Sequence, residues 1–179
     1  MLLDDALPQA DFSERHSVAL DVQPRVALAA TRALTVREVP TIRCLMALRS
    51  LGRSPLGADD RVLDGFTAMR FVVFAEAEDE MVVVGVGRFW RLDGGLRRIT
   101  AGGFAAFEEP GWAKVAFNFK AAHGELSTET RIRATDPGSR RKFGRYWRLV
   151  MPGSALIRRD WLRAARKRAE RLRHGAPPG

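Results

Sequence analysis

The sequence predicts an α+β fold: a curved antiparallel sheet of about six to seven strands wrapped on one long C-terminal helix, with two short helices after the first strand. Three observations carry this expectation. Segments with a period of two, bounded by turn residues, open the chain and fill its middle. From Asp136–Pro137 onward a single apolar stripe runs at helical spacing almost to the end. A sheet with an apolar face must have that face covered, and only the terminal helix is long enough to do so, at about 1.5 Å per residue.

The first strand is expected in "FSERHSVALDV" (12–22), where Phe12, Glu14, His16, Val18, Leu20 and Val22 alternate with smaller or polar residues. A helix follows near Pro24, a residue suited to an early helical position, with Val26, Ala29, Ala30 and Ala33 on one stripe. The second helix is read in 35–52, where Thr35 and Glu38 have capping-box spacing and Pro40 places the true start close by. Strands are then expected in 65–80 and 81–92, joined by an acidic turn, with a weaker one in 97–109 broken at Gly102–Gly103. Both faces of "MVVVGVGRFW" are apolar, so it belongs inside the sheet; Gly85 and Gly87 share a face and either make room above it or let it bend. "WAKVAFNFKA" (112–121) and "ELSTETRIRAT" (125–135) alternate cleanly and are joined by a tight "HGE" hairpin. Asp136 is the expected N-cap of the terminal helix, whose stripe keeps phase through Pro152–Gly153, so the pair reads as a kink within one helix.

With 179 residues and 46% apolar content, the chain suits one domain with a sizeable core. That domain is expected over residues 12–172, between a loose leader (1–11) and a disordered tail (173–179). No apolar run approaches the roughly 20 residues that span a bilayer. The acidic start lacks the basic head of a secretory signal, and Cys44 is the lone cysteine, so the cytoplasm is the expected compartment. Charge is uneven: the segment 137–175 holds 13 Lys or Arg against Asp160 and Glu170, whereas the remainder is slightly acidic. A basic face on a packed helix accounts for this, and an anionic partner, a membrane surface or nucleic acid, is the sharper alternative. Nucleic acid is not the expected partner, because no DNA-reading motif accompanies the arginines.

The order of elements, together with "ERHSVALDVQPRVALAATRAL", "GRFWRL" and "STETRIRATDPGSRRKFGRYWRLV", resembles the START-like superfamily, also called SRPBCC or helix-grip. Its members are similar to birch-pollen allergen proteins, polyketide cyclases and aromatases, and lipid-transfer domains. The last two segments resemble a branch of small uncharacterised bacterial proteins within it. The resemblance covers about residues 12–172 and implies a hydrophobic pocket under the C-terminal helix. It brings no universal catalytic motif, and Pro152–Gly153 departs from a straight lid helix.

The expected ligand is thus a small hydrophobic molecule held between sheet and helix. Candidate binding residues are His16, Arg70, Trp90, Phe117, Phe119, Thr128, Thr130, Tyr146, Trp147 and Val150, with Trp112 as a further aromatic lining residue. His16, among inward positions, can bind a ligand or act as a base; it equally suits a structurally bonded histidine. Arg70, read on a face with Val72 and Phe74, can grip an acidic group or snorkel to the sheet edge. The aromatic residues serve either as core or as lining. Thr128 and Thr130 point inward, where hydroxyls orient a carbonyl, while Glu129, Arg131 and Arg133 form an outer charge ladder. No catalytic residue, metal site or cofactor is expected: three scattered histidines make no metal set, and dinucleotide, phosphate-loop and serine-elbow motifs are missing. The alternative is a polyketide cyclase- or aromatase-like enzyme using a group such as His16 or Arg70 for proton transfer. A monomer or a homodimer fits the sequence equally.

Overall fold

A computed structural model describes residues 1–42, 57–91 and 95–173. Its strands are β1 (Phe12–Ala19), β2 (Val72–Glu76), β3 (Glu80–Gly87), β4 (Ala113–Ala122) and β5 (Glu125–Ala134). They form one antiparallel sheet in the order β1-β5-β4-β3-β2. Among the described residues the sheet therefore has five strands, rather than six to seven. The helices are α1 (Leu2–Ala6), α2 (Pro24–Ala33), α3 (Val62–Ala68), α4 (Ala101–Ala105) and α5 (Pro137–Arg173). A sheet crossed by a long C-terminal helix is the helix-grip arrangement.

Two segments expected as strands carry helices, the first in its opening residues and the second at 101–105. Residues 65–68 close α3, whose Phe66 packs against Phe71, Phe117 and Trp161, and only the second half of the predicted segment becomes β2. A short apolar run fits either period, and here tertiary contacts decide. In the 97–109 segment the Thr100 hydroxyl accepts from the Gly103 amide at 3.1 Å, capping α4, which drops Phe104 onto the sheet. The Thr35–Glu38 capping box is present, but on a single 3-10 turn (Val36–Glu38); helical backbone starts at residue 40, and the rest of the predicted second helix lies outside the described residues. In α2 the buried residues are Ala27, Leu28, Ala30 and Thr31, so the stripe is rotated from the expected one and Ala29 faces out.

The other local signals form as expected. β1 alternates inward and outward along its whole length. His123 and Gly124 turn the β4–β5 hairpin with φ of 53° and 74°, the left-handed pair that a two-residue turn requires. Gly85 makes room above β3: a Cβ there would lie 2.7 Å from the Phe71 ring, which occupies the space. α5 runs 37 residues without interruption through Pro152. Asp136 caps it, accepting from the Ser139 amide at 2.9 Å, the Ser139 hydroxyl at 2.6 Å and the Gly111 amide at 2.7 Å. These bonds hold the Asp136 carboxyl well below the usual range, at about 2.

Both faces of the sheet are covered. On the inner face α2, α3 and α5 close a core that includes Met81, Val83, Phe117, Phe119, Leu126, Ile132 and Trp161. On the outer face a smaller core joins Val82, Val84, Val86 and Ala116 to Phe104 and to Leu3 and Leu7. The first residues, read as a loose leader, thus carry α1, docked with Leu3 and Leu7 buried and its amides bonded to Glu80. An apolar outer face on β3 and β4 needs that cover, which explains why β3 is apolar on both sides.

Candidate functional site

The inner face carries charge at its centre. The alternation of β1 turns Glu14 and His16 inward, and antiparallel register sets Glu14 opposite Thr130 and His16 opposite Thr128. Thr130 in turn pairs with Phe117 on β4. His16 Nε2 lies 2.6 Å from Glu14 Oε1, with the two side chains only 12% and 10% exposed. With Glu14 ionised, the imidazole donates that bond, and the carboxylate orients the ring.

Arg158 descends on the same row from α5. Its guanidinium sits 4.4 Å from the Phe117 ring centre and 5.8 Å from that of Trp161, a cation–π arrangement. The residue as a whole is half-buried, whereas Nη1 is fully shielded. Burial pulls its pKa down to about 10, against the opposing attraction of Glu14. Three buried polar atoms at this level have no hydrogen-bond partner: Glu14 Oε2, Arg158 Nη1 and Trp161 Nε1. Two other orphan nitrogens, Nε of Arg32 and of Arg168, belong to guanidiniums already paired with Glu76 and Glu38. Unpaired buried groups each cost about 1–3 kcal/mol, so a cluster of them on one face calls for an explanation.

Aromatic residues clamp α5 to the sheet on either side of Arg158's row. Toward its start, Phe143 stacks on Trp147 and meets Phe12, Phe89 and Tyr146 at centroid distances of 5.4–6.2 Å. Further along, Trp161 lies 4.7 Å from Phe119 and 5.5 Å from Phe66. Between Phe143 and Trp161 the helix has no fully buried residue; Val150, Ser154 and Ile157 are half-buried.

Of the sequence-predicted residues, His16, Phe117, Phe119, Thr128 and Thr130 share the inner face. The Thr128 hydroxyl donates to the Asn118 carbonyl at 2.7 Å, so its hydrogen is committed to backbone. Trp90, Tyr146 and Trp147 are half-buried against the inner core. Arg70 is elsewhere. It occupies a turn between α3 and β2 with φ 70°, is exposed, and donates to the Leu96 carbonyl at 2.8 Å. It is in no strand and shares no face with Val72 and Phe74. Trp112 belongs to the outer face, edge-on to Phe107 at 6.2 Å and under Arg88 at 4.3 Å.

Sequence reasoning missed Glu14 and Arg158. Glu14 is a carboxylate in an inward phase of β1; Arg158, three residues before Trp161, belongs to the helix whose basic face reads as solvated, and is instead desolvated. A groove of about 580 Å³ opens at another place, where Leu20, Val22 and Val26 meet Leu172 and Arg173. Among the described residues no group of three potential metal ligands stands together, and no helix is long and apolar enough to cross a membrane.

No family model matches the chain, and no curated protein matches it. Among solved structures it is similar to the Zhui aromatase/cyclase of Streptomyces sp. R1128, with 11% identity and a TM-score of 0.28, over 93% of this chain and 99% of that one. At that score the likeness transfers neither fold nor activity. The chain is placed by its own geometry: a five-stranded antiparallel sheet gripped by a 37-residue helix over a charged, partly unsatisfied row.

Proposed function

We propose that the protein binds a small, largely apolar molecule between the sheet and the middle of α5. One observation carries this reading: Glu14 Oε2, Arg158 Nη1 and Trp161 Nε1 are buried and unpaired beneath a helix stretch that has no fully buried residue. A bound molecule with one polar group offers those atoms partners, while Phe117, Trp147 and Val150 supply apolar contact. The buried guanidinium favours an acidic or carbonyl group on the ligand. An anilinonaphthalene sulfonate, apolar with one anionic group, is a direct probe. Its fluorescence is expected to rise on binding to the parent, and Arg158→Met is expected to weaken that binding at least about tenfold, the size of one lost charge-assisted hydrogen bond. Equal binding by parent and variant removes Arg158 from the site.

A second reading is favoured by the Glu14–His16 bond. A carboxylate that orients an imidazole is a general-base pair, suited to moving a proton on a bound molecule. In that reading His16 is the base and Glu14 its orienter, and Arg70, outside the site, plays no part.

A further inference from the structure

The outward side of α5 carries a second pattern that ligand binding does not use. Lys142, Arg145, Leu149, Pro152, Leu156, Arg159 and Arg163 follow one another at spacings of three and four, so they form a single row along the helix. All are exposed, with Leu149 82% and Leu156 58% accessible. The row is apolar at its centre and cationic at both ends. Arg141 and Arg148 add charge beside it, and Asp160, the acid nearest its middle, is turned away to accept the Thr41 hydroxyl at 2.7 Å. Arg140, Arg166, Arg168, Arg171 and Arg173 pair with acids of the chain; the row's own Lys142, Arg145, Arg159 and Arg163 have no ion-pair partner among the described residues.

We propose that this row docks α5 flat on an anionic lipid bilayer, with Leu149, Pro152 and Leu156 entering the interfacial zone and the flanking cations meeting lipid phosphates. Cations at both ends of an exposed apolar centre match the two layers of such a surface, charged headgroups above acyl chains. A second copy of the chain does not fit, because its row would bring like charges together. Nucleic acid leaves the central leucines without a role, since duplex backbone offers phosphates and no apolar layer. The proposal is independent of any ligand beneath the helix.

The test is co-sedimentation of the full chain with vesicles of phosphatidylcholine alone and of phosphatidylcholine mixed with phosphatidylglycerol, at physiological and high salt. Binding is expected only to the anionic vesicles and to fall with salt. The pair Leu149→Ser with Leu156→Ser is expected to weaken it about tenfold or more, by removing buried apolar area. Arg145→Gln, Arg159→Gln and Arg163→Gln together are expected to weaken it about a hundredfold, near fivefold per cation. All five positions are exposed, and unchanged melting curves confirm that the variants fold. Absence of binding to anionic vesicles overturns the proposal. So does full binding by the leucine pair, which reduces the effect to unspecific charge. Salt-sensitive binding of duplex DNA that survives the leucine changes, without vesicle binding, assigns the row to nucleic acid and also overturns it.

Discussion

The two faces of the sheet treat buried polar groups in opposite ways. On the outer face each one is answered. Glu80 accepts from the amides of Leu2 and Leu3 at 2.9 and 3.2 Å and from Asn118 Nδ2 at 2.8 Å, with Lys120 at 3.7 Å. Asn118 Oδ1 accepts from the Glu129 amide at 2.8 Å, and Arg131 bonds Glu129, Asp4 and the Leu7 carbonyl. Even Lys114, whose pKa burial lowers, donates to the Ala105 carbonyl at 3.1 Å. On the inner face, under α5, Glu14, Arg158 and Trp161 each keep a buried atom without a partner. A completed network fixes structure, and the incomplete one at the same depth is what the proposed ligand would complete. The outer face therefore locks α1 in place, and the inner face is where chemistry is to be sought.

Substitution on each side sharpens that contrast. The largest effect is expected from Glu80→Ala, which strands Asn118 Nδ2 and two amides in a dry core. Denaturant unfolding is expected to show a loss of about 3–5 kcal/mol; a loss below about 1 kcal/mol breaks the claim that the outer network is structural. Asp136, which joins the outer loop at Gly111 to the start of α5, comes next. Asp136→Ala is expected to cost about 1 kcal/mol near neutral pH, as for an N-cap. The folded pKa of about 2 lies below the ordinary 3.8, so this contribution is fully present above about pH 4 and fades as pH falls toward 2. Unfolding of parent and variant measured across that window is expected to converge at its acid end. The smallest effect is expected at Arg158. Arg158→Met removes a desolvated charge and keeps apolar bulk, so stability is expected to stay within about 1 kcal/mol of the parent while probe binding falls. A loss as large as that of Glu80→Ala makes Arg158 a structural group and ends the contrast.

Much of the architecture was legible before any contact was known. The alternation of β1, β4 and β5, the His123–Gly124 turn, the Asp136 cap and the length of α5 each follow from residues a few positions apart. Where local signals were ambiguous, the reading failed. Phe66 and Phe104 sit in runs that suit a strand or a helix, and packing against Trp161 in one case and Phe74 in the other accompanies the helical outcome. The site was half legible: period two turned His16, Thr128 and Thr130 inward, and the same rule held Glu14. Arg70 was misplaced because strand phase was extended across a left-handed turn that no local pattern announces.

The sequence alone determined the periods, the caps and the hairpin, and with them an α+β chain ending in one amphipathic helix, because those depend on backbone geometry within a turn or two. Tertiary structure alone decided the strand order, the docking of α1 on Glu80, the Phe71 ring above Gly85 and the desolvation of Arg158. Each of those depends on what lies opposite, tens of residues away, and the cost of burying a charge is set by that neighbour and not by the residue's own place in the pattern.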